Sequence, residues 1–150
     1  MSEAAKVEAL RRSPLFDLLS AAELEVLAGL SRQVKLPAGA VLFAEGELGA
    51  SLFVLAAGEV DVVRRHGAEE KVIATLAAPA AFGEMALIDR EVRSASIRAR
   101  TEILALELTA ENFSAFRKRS RDGFTFVVIN IARVLSARLR ETSERLAARL

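Results

Sequence analysis

The chain has 150 residues, of which 52% are hydrophobic and 27% are charged, and its formal net charge at pH 7 is +1. This length suits one globular domain, and the balanced charge excludes a general electrostatic attraction to nucleic acid or to an anionic membrane. The chain has no cysteine and a single histidine, His66, which excludes disulfides, zinc ribbons, cysteine-bound iron–sulfur clusters and multi-histidine metal sites.

The N-terminal segment, residues 4–30, is predicted to be helical. Its sequence from Ser20 to Glu23 is a capping box, which marks the start of a helix. Leu24, Leu27 and Leu30 then repeat on one face of that helix. The charged N-terminus is not expected to be a signal peptide, and no apolar run reaches the roughly 18 residues of a membrane span. We therefore expect a cytoplasmic protein that has no membrane partner and needs no cofactor or metal.

Residues 34–108 consist of short apolar runs that are separated by glycines. This spacing predicts a sandwich or roll of antiparallel strands. His66 lies in the polar sequence from Arg64 to Gly67, which predicts an exposed hairpin turn without a chemical role. The predicted strands are Val41–Phe43, Ser51–Leu55, Val60–Val63, Lys71–Ala74 and Ile103–Leu106.

The most informative sequence is Phe82-Gly83-Glu84-Met85-Ala86-Leu87, followed by Arg93-Ser94-Ala95. Gly83 permits close backbone approach to a ligand, and the amides that follow it would lie at the start of a short turn, where phosphate often binds. The guanidinium of Arg93 suits the paired oxygens of a phosphate, and the Glu84 carboxylate suits a pair of hydroxyls. Together these residue types predict capture of a sugar phosphate. The alternative for Arg93 is a surface ion pair with Glu91.

Residues 109–150 are predicted to form C-terminal helices. Thr109 can cap a helix over residues 110–120. Asp122-Gly123 is predicted to separate this helix from a long helix that starts at about Phe124. The first half of this helix, to Leu135, is apolar nearly all round and is expected to be buried. Its stripe suits either a two-helix dimer seam or packing on its own domain. The stripe comprises Phe124, Val128, Ile131, Leu135, Leu139, Thr142, Leu146 and Leu150.

The sequence from Phe82 to Ala95 resembles the phosphate-binding cassette of the cyclic nucleotide-binding domain family, Phe-Gly-Glu-x-Ala-Leu, then a short loop and Arg-Ser/Ala/Thr-Ala. The glycine-marked turns at Gly39, Gly46 and Gly58 also match, and the resemblance covers about residues 10–146. It is nearest to the sensory half of bacterial catabolite activator-like regulators, without their helix-turn-helix. Pro79 is a departure, because the turn before the cassette usually carries a glycine there.

The resemblance implies an α+β fold: an antiparallel β-roll (double-stranded jelly roll) with N-terminal helices and a long C-terminal helix. We expect one cyclic nucleotide-binding domain over residues 1–150, with helices at 4–30, the β-roll at 34–108 and C-terminal helices at 109–150.

The family's residue roles imply that Arg93, Ser94 and the amides near Met85 and Ala86 bind the cyclic phosphate, and that Glu84 binds the ribose 2′-hydroxyl. Thr142 and Ser143 resemble the helical pair that binds adenine in catabolite activator-like members, with Arg138 as a weaker candidate. For Val62, Ile73 and Ala74 the resemblance implies an apolar wall, although each suits plain core as well. The complete predicted set is Phe82, Gly83, Glu84, Met85, Ala86, Arg93, Ser94, Ala95, Val62, Ile73, Ala74, Thr142 and Ser143.

The resulting hypothesis is a regulatory, non-enzymatic module that binds cyclic AMP, with cyclic GMP as the other candidate ligand. It would form a homodimer through the C-terminal helix and signal through that helix to an unknown effector protein. No DNA-binding module is expected, and the basic residues from Arg117 to Arg121 suit a solvated face. One alternative is a scaffold of the same fold that no longer binds nucleotide. A phosphodiesterase is the other, but a two-metal site needs histidines that the chain lacks.

Overall fold

The computed structural model describes residues 1–88 and 92–149, so Asp89, Arg90, Glu91 and Leu150 lie outside the described residues. Within the described residues, two short 3-10 turns, Pro14–Phe16 and Glu84–Leu87, accompany four helices and eight strands. The helices are α1 (Glu3–Arg11), α2 (Ala21–Leu30), α3 (Ala110–Arg119) and α4 (Arg121–Ala148). The strands are β1 (Arg32–Leu36), β2 (Val41–Phe43), β3 (Ser51–Ala57), β4 (Glu59–His66), β5 (Glu69–Ala77), β6 (Ala81–Phe82), β7 (Ser96–Ala99) and β8 (Ile103–Thr109).

The strands form two antiparallel four-stranded sheets, with the orders β1-β8-β3-β6 and β2-β7-β4-β5. Apolar side chains from both sheets meet in one core, among them Leu55 and Ala105 from the first sheet and Val60 and Ile97 from the second. The predicted α+β fold, with antiparallel sheets, N-terminal helices and a long C-terminal helix, is therefore confirmed.

Each of the five predicted strands is present, although most extend further than predicted. Sequence reasoning missed β1, β6 and β7 because they are short or carry charged residues on their exposed side. The predicted exposure of His66 is confirmed, but its predicted place in the turn is wrong. It ends β4 and pairs with Glu69, while the turn itself is formed by Gly67 and Ala68. Because His66 is still paired with β5, the hairpin turn contains two residues and is shorter than the predicted turn from Arg64 to Gly67.

The helices cover the outer face of the first sheet. Leu10, Leu27 and Phe116 from three helices pack in a second core with Leu52 and Leu106 from β3 and β8. The predicted capping box is confirmed.

Within that box, the Glu23 amide donates to the Ser20 hydroxyl and the Ser20 amide donates to the Glu23 carboxylate at 2.9 Å. The Ser120 hydroxyl also donates to Glu23, which ties α2 to the start of α4. This bond and that from the Ser20 amide hold the pKa of Glu23 below its ordinary value.

The start of α4 corrects one prediction. The helix begins at Arg121, because the Ser120 hydroxyl accepts a hydrogen bond from the Gly123 amide and caps it. Asp122 and Gly123 therefore lie in its first turn and do not interrupt the chain. The buried Asn130 side chain donates to the backbone oxygens of Leu15 (3.2 Å) and Asp17 (2.7 Å), which fixes this part of α4 against the N-terminal segment.

The burial predicted for the first half of α4 is only partly correct. Val127 and Ile131 are buried, but Val128 and Ile129 are exposed, because the sheet and helices cover one side of α4 only. Beyond Leu135 every described residue of α4 is exposed. Within residues 1–88 and 92–149, no helix combines the length and apolarity needed to cross a bilayer.

Candidate functional site

A cavity of about 390 Å³ opens beside the Glu84–Leu87 turn. Its walls come from both sheets, the cassette and one side chain of α4, Arg138. Every predicted residue from Phe82 to Ala86 and from Arg93 to Ala95 lines it, and so does Val62. The fold therefore brings together two groups of residues that positions 87–92 separate in the sequence.

The backbone at Gly83 has the geometry that only glycine adopts easily. Its φ is +81°, and a Cβ built there would lie 2.6 Å from Arg93 Nη1 and 2.8 Å from the Ser51 carbonyl oxygen. The chain then enters the Glu84–Leu87 turn, as the sequence predicts. The Ala86 amide donates to the Gly83 carbonyl at 3.1 Å, so the turn itself uses this amide. This leaves the amides of Glu84 and Met85 at its start as the better candidates for phosphate donors.

Proline at the turn before the cassette does not disturb the entry to the site. The Ala78–Pro79 peptide is cis, and the Ala80 amide donates to the Ala77 carbonyl at 3.0 Å. The chain then pairs as β6 with β3, which places Phe82 opposite Phe53 at the edge of the cavity.

Arg93 is half-buried and is held through both its backbone and its side chain. Its amide donates to the Glu47 carbonyl at 2.7 Å, and its carbonyl accepts from the Gly46 amide at 2.9 Å. Its Nη2 donates to the Ser51 carbonyl at 2.7 Å, while Nη1 lies 3.5 Å from the Gly83 carbonyl. The guanidinium therefore contacts backbone dipoles and keeps further donors for a ligand.

No carboxylate within residues 1–88 and 92–149 forms a salt bridge with Arg93. Glu91, the alternative partner, lies outside the described residues. Burial lowers the pKa of the Arg93 guanidinium, and the more distant carboxylates of Glu47, Glu84 and Glu107 partly offset this. An arginine remains protonated at neutral pH despite such a shift, so the cavity wall carries a positive charge.

Glu84 is almost completely buried, and its Oε1 accepts a 2.7 Å hydrogen bond from Arg138 Nη1. Arg138 reaches the cavity from α4, so this ion pair links the helix to the cassette. Among the described residues that line the cavity, the charged ones are Glu84, Arg93 and Arg138. One negative and two positive charges leave a formal charge of +1, which suits an anion with a single charge.

Four of the predicted contacts do not line the cavity: Ile73, Ala74, Thr142 and Ser143. Ala74 pairs with Val62 across the sheet but is exposed, and Ile73 is the extra residue where the β4–β5 register shifts. β5 is an edge strand, and Leu76 is the residue that it contributes to the wall.

Thr142 and Ser143 lie about one helical turn beyond Arg138, which carries them past the cavity rim. Both are exposed, and the Thr142 hydroxyl donates to the Arg138 carbonyl at 3.0 Å. Arg138, the weaker candidate in the sequence, is the α4 residue that reaches the cavity.

Sequence reasoning missed several residues that shape the site. Phe43, Val92 and Ile97 line the cavity, and Gly49 and Ser51 contact the Arg93 side chain without lining it. In the sequence, Phe43 cannot be told from an ordinary strand residue. Only Gly46 and Gly49 indicate that the backbone is closely approached near this site. Within the two described ranges, no group of three or more His, Asp or Glu residues could hold a metal ion.

Comparison with known proteins places this geometry in context. Residues 33–120 match the family model of the cyclic nucleotide-binding domain. The chain is 35% identical over 133 residues to the cyclic AMP receptor protein of Thermus thermophilus, covering 88% of this chain but 60% of the receptor. It is 39% identical over 108 residues to a cyclic nucleotide-gated potassium channel of Rhizobium etli, covering 71% of this chain and 29% of the channel.

A solved cyclic nucleotide-binding domain from Methylobacillus flagellatus has a TM-score of 0.84 at 26% identity, over 99% of this chain and 84% of that one. The fold therefore agrees with that of a domain named for cyclic nucleotide binding. The chain therefore spans less than two thirds of the length of each of these two sequence relatives.

Proposed function

This chain belongs to the cyclic nucleotide-binding domain family, and from that premise we propose that it is a regulatory module whose preferred ligand is cyclic AMP. The observation that carries the proposal is Arg93, a half-buried cation at a cavity with a formal charge of +1. The ring phosphate of a cyclic nucleotide has one negative charge, which would neutralise that cavity.

The ligand's phosphate would be held by Arg93 and by amides at the start of the turn after Gly83. Hydrogen bonds with a charged partner contribute about 1.5–3 kcal/mol each, against about 1 kcal/mol for neutral ones. Two or three of them, a ribose contact to Glu84 and a partly buried base could reach the roughly −8 kcal/mol of micromolar binding. Phosphate and ribose therefore supply most of the expected affinity.

The base would pack on the apolar side chains of Val62, Leu76 and Ile97, which line the cavity. Such a wall accepts either purine, so the preference for cyclic AMP rests on the adenine contacts implied for Thr142 and Ser143. Ser94, which lines the cavity, would contact the phosphate and could also meet a guanine. The name of the Thermus relative supports cyclic AMP as the first ligand to test.

The experiment that tests this function is calorimetric titration of the protein with cyclic AMP and, in parallel, with cyclic GMP. We expect micromolar or tighter binding of cyclic AMP and weaker binding of cyclic GMP. No heat with either nucleotide would favour the scaffold alternative. Appearance of 5′-AMP during a long incubation would instead indicate a phosphodiesterase.

Signalling is proposed to pass through α4, because the Arg138–Glu84 ion pair joins this helix to the ribose site. A ribose that competes for Glu84 would change how α4 sits on the cassette, so ligand binding would shift the population of helix positions. The exposed second half of the helix would then close over the base and bring Thr142 and Ser143 to it.

We expect saturating cyclic AMP to slow amide hydrogen exchange across residues 136–149. At 100 times the Kd, binding can stabilise a coupled segment by up to about 2.7 kcal/mol, or roughly 100-fold in exchange rate. An Arg138→Gln variant should exchange faster than the wild type before nucleotide is added, since it lacks the ion pair. Equal protection of this segment with and without cyclic AMP would dismiss the lid.

A homodimer is proposed through the exposed stripe of α4. Val128, Leu139 and Leu146 are 38%, 68% and 59% exposed, at spacings that suit a helix–helix seam. Sedimentation analysis should find a dimer at micromolar concentration for the wild type and a monomer for Leu139→Glu. Ala137→Glu is the matched control, because it adds the same charge on an exposed position off the stripe. A dimer that survives Leu139→Glu would contradict this seam.

A further inference from the structure

The guanidinium of Arg93 is held by residues outside the cassette. Its Cζ lies 4.1 Å from the centroid of the Phe43 ring, which is the geometry of a cation–π contact. The Phe43 ring is itself fixed, because it packs against Phe53 (5.8 Å between centroids) and Phe82 (6.2 Å). The face that Arg93 meets is therefore part of the aromatic core and not a freely rotating surface side chain.

Gly49 gives the same side chain its space. A Cβ built on Gly49 would lie 2.4 Å from Arg93 Nε, 2.5 Å from Cζ and 2.9 Å from Cδ, whereas real side chains do not approach so closely. The φ of Gly49 lies outside the left-handed region. Glycine is needed here for room and not for backbone conformation, and the three atoms nearest to an added Cβ all belong to the Arg93 side chain.

These contacts matter because an arginine loses much rotamer freedom when it binds an anion in one geometry. The backbone of Arg93 is already bonded to Gly46 and Glu47, and its Nη2 to the Ser51 carbonyl. A ring face and a bare glycine backbone hold the rest of the side chain without neutralising its charge. We propose that Phe43 and Gly49 are positioning residues that hold Arg93 ready for the phosphate of the ligand.

The first test is the affinity of the full chain for cyclic AMP, and this part rests on the proposed function. We expect Phe43→Leu to weaken binding about 3- to 30-fold, the range of a cation–π contact, and Phe43→Tyr to stay within about twofold because it keeps the ring. Gly49→Ala should weaken binding by about tenfold or more, since displacing Arg93 forfeits at least one charge-assisted hydrogen bond.

Two controls make the same chemical changes away from the cavity. Phe124→Leu removes another ring that faces an arginine, Arg117, at 5.8 Å. Gly29→Ala fills a helical glycine whose nearest neighbour, a Glu3 carboxylate oxygen, is 3.4 Å from the built Cβ. Both should bind cyclic AMP within about twofold of the wild type. Equal losses in the variants and their controls would overturn the proposal.

The second test needs no nucleotide, so it separates failure of this inference from failure of the proposed function. A proton held over the face of an aromatic ring is shielded, so the NMR signal of Arg93 Hε should lie upfield in the wild type and in Phe43→Tyr. It should move downfield in Phe43→Leu, and Gly49→Ala should shift it as well. An Hε signal that is the same in the wild type and in Phe43→Leu would overturn the contact, whether or not the protein binds cyclic AMP. A shielded Hε combined with unchanged affinity in Phe43→Leu would overturn the positioning role.

Discussion

Replacement of Arg93 by alanine is expected to abolish calorimetrically detectable binding of cyclic AMP. The side chain supplies the charge-assisted contacts to the phosphate, at about 1.5–3 kcal/mol each. Losing two of them raises the Kd by about two to four orders of magnitude, from about 1 µM to between about 0.1 and 10 mM, which is too weak to titrate at micromolar protein. Near-normal affinity in this variant would contradict the proposed site.

The variant should nevertheless fold. Arg93 has no salt bridge with any residue in the described ranges. The cost of burying its guanidinium, which lowers its pKa, offsets the hydrogen bond to Ser51 and the Phe43 contact that alanine would lose. We therefore expect the Tm without nucleotide to stay within a few degrees of the wild type. Loss of binding would then reflect the site and not a loss of structure.

Arg100→Ala is the matched control, because it removes the same charge from an exposed side chain that contacts Thr75 and Asp61 and does not line the cavity. Its affinity for cyclic AMP should stay within about twofold of the wild type. Arg93→Lys should fall between wild type and alanine, since lysine keeps the charge but not the planar fork that binds two phosphate oxygens.

Local sequence chemistry and the family resemblance singled out the residues at the centre of the candidate site. Gly83, Glu84 and Arg93 suit a sugar phosphate by type and match the spacing of the family's cassette, and all three line one cavity. The capping residues Ser20 and Thr109 were equally readable, because each cap is completed within three residues by Glu23 or Asn112.

What the sequence could not supply depends on contacts between distant segments. A register shift between Val62 and Val63 sets which β5 residues face inward, and nothing in the local pattern marks it. The α4 residue that contacts the cavity could not be predicted for the same reason, because Arg138 donates to Glu84, which is 54 residues earlier in the chain. Phe43 resembles any other apolar strand residue in the sequence, so its contact with Arg93 could be found only in the structure.

Replacement of Glu84 by alanine is expected to weaken cyclic AMP binding by about 10- to 150-fold, the equivalent of one hydrogen bond with a charged acceptor. The reason is the buried carboxylate, which we propose accepts the ribose 2′-hydroxyl. The variant has a second effect of opposite sign, because it raises the formal charge of the cavity from +1 to +2 and so favours the phosphate. The measured loss is thus a lower limit for the ribose contact.

Comparison with 2′-deoxy cyclic AMP separates the two effects, since both ligands carry the same charge and differ by the one hydroxyl. The wild type should bind the deoxy ligand about 10- to 150-fold more weakly than cyclic AMP, whereas Glu84→Ala should bind the two about equally. Arg138→Gln serves as the control, because it breaks the ion pair while keeping the carboxylate, and it should retain the discrimination. If Glu84→Ala still distinguishes the two ligands, the hydroxyl must be recognised by another group, and the link from ribose through Glu84 to α4 fails with it.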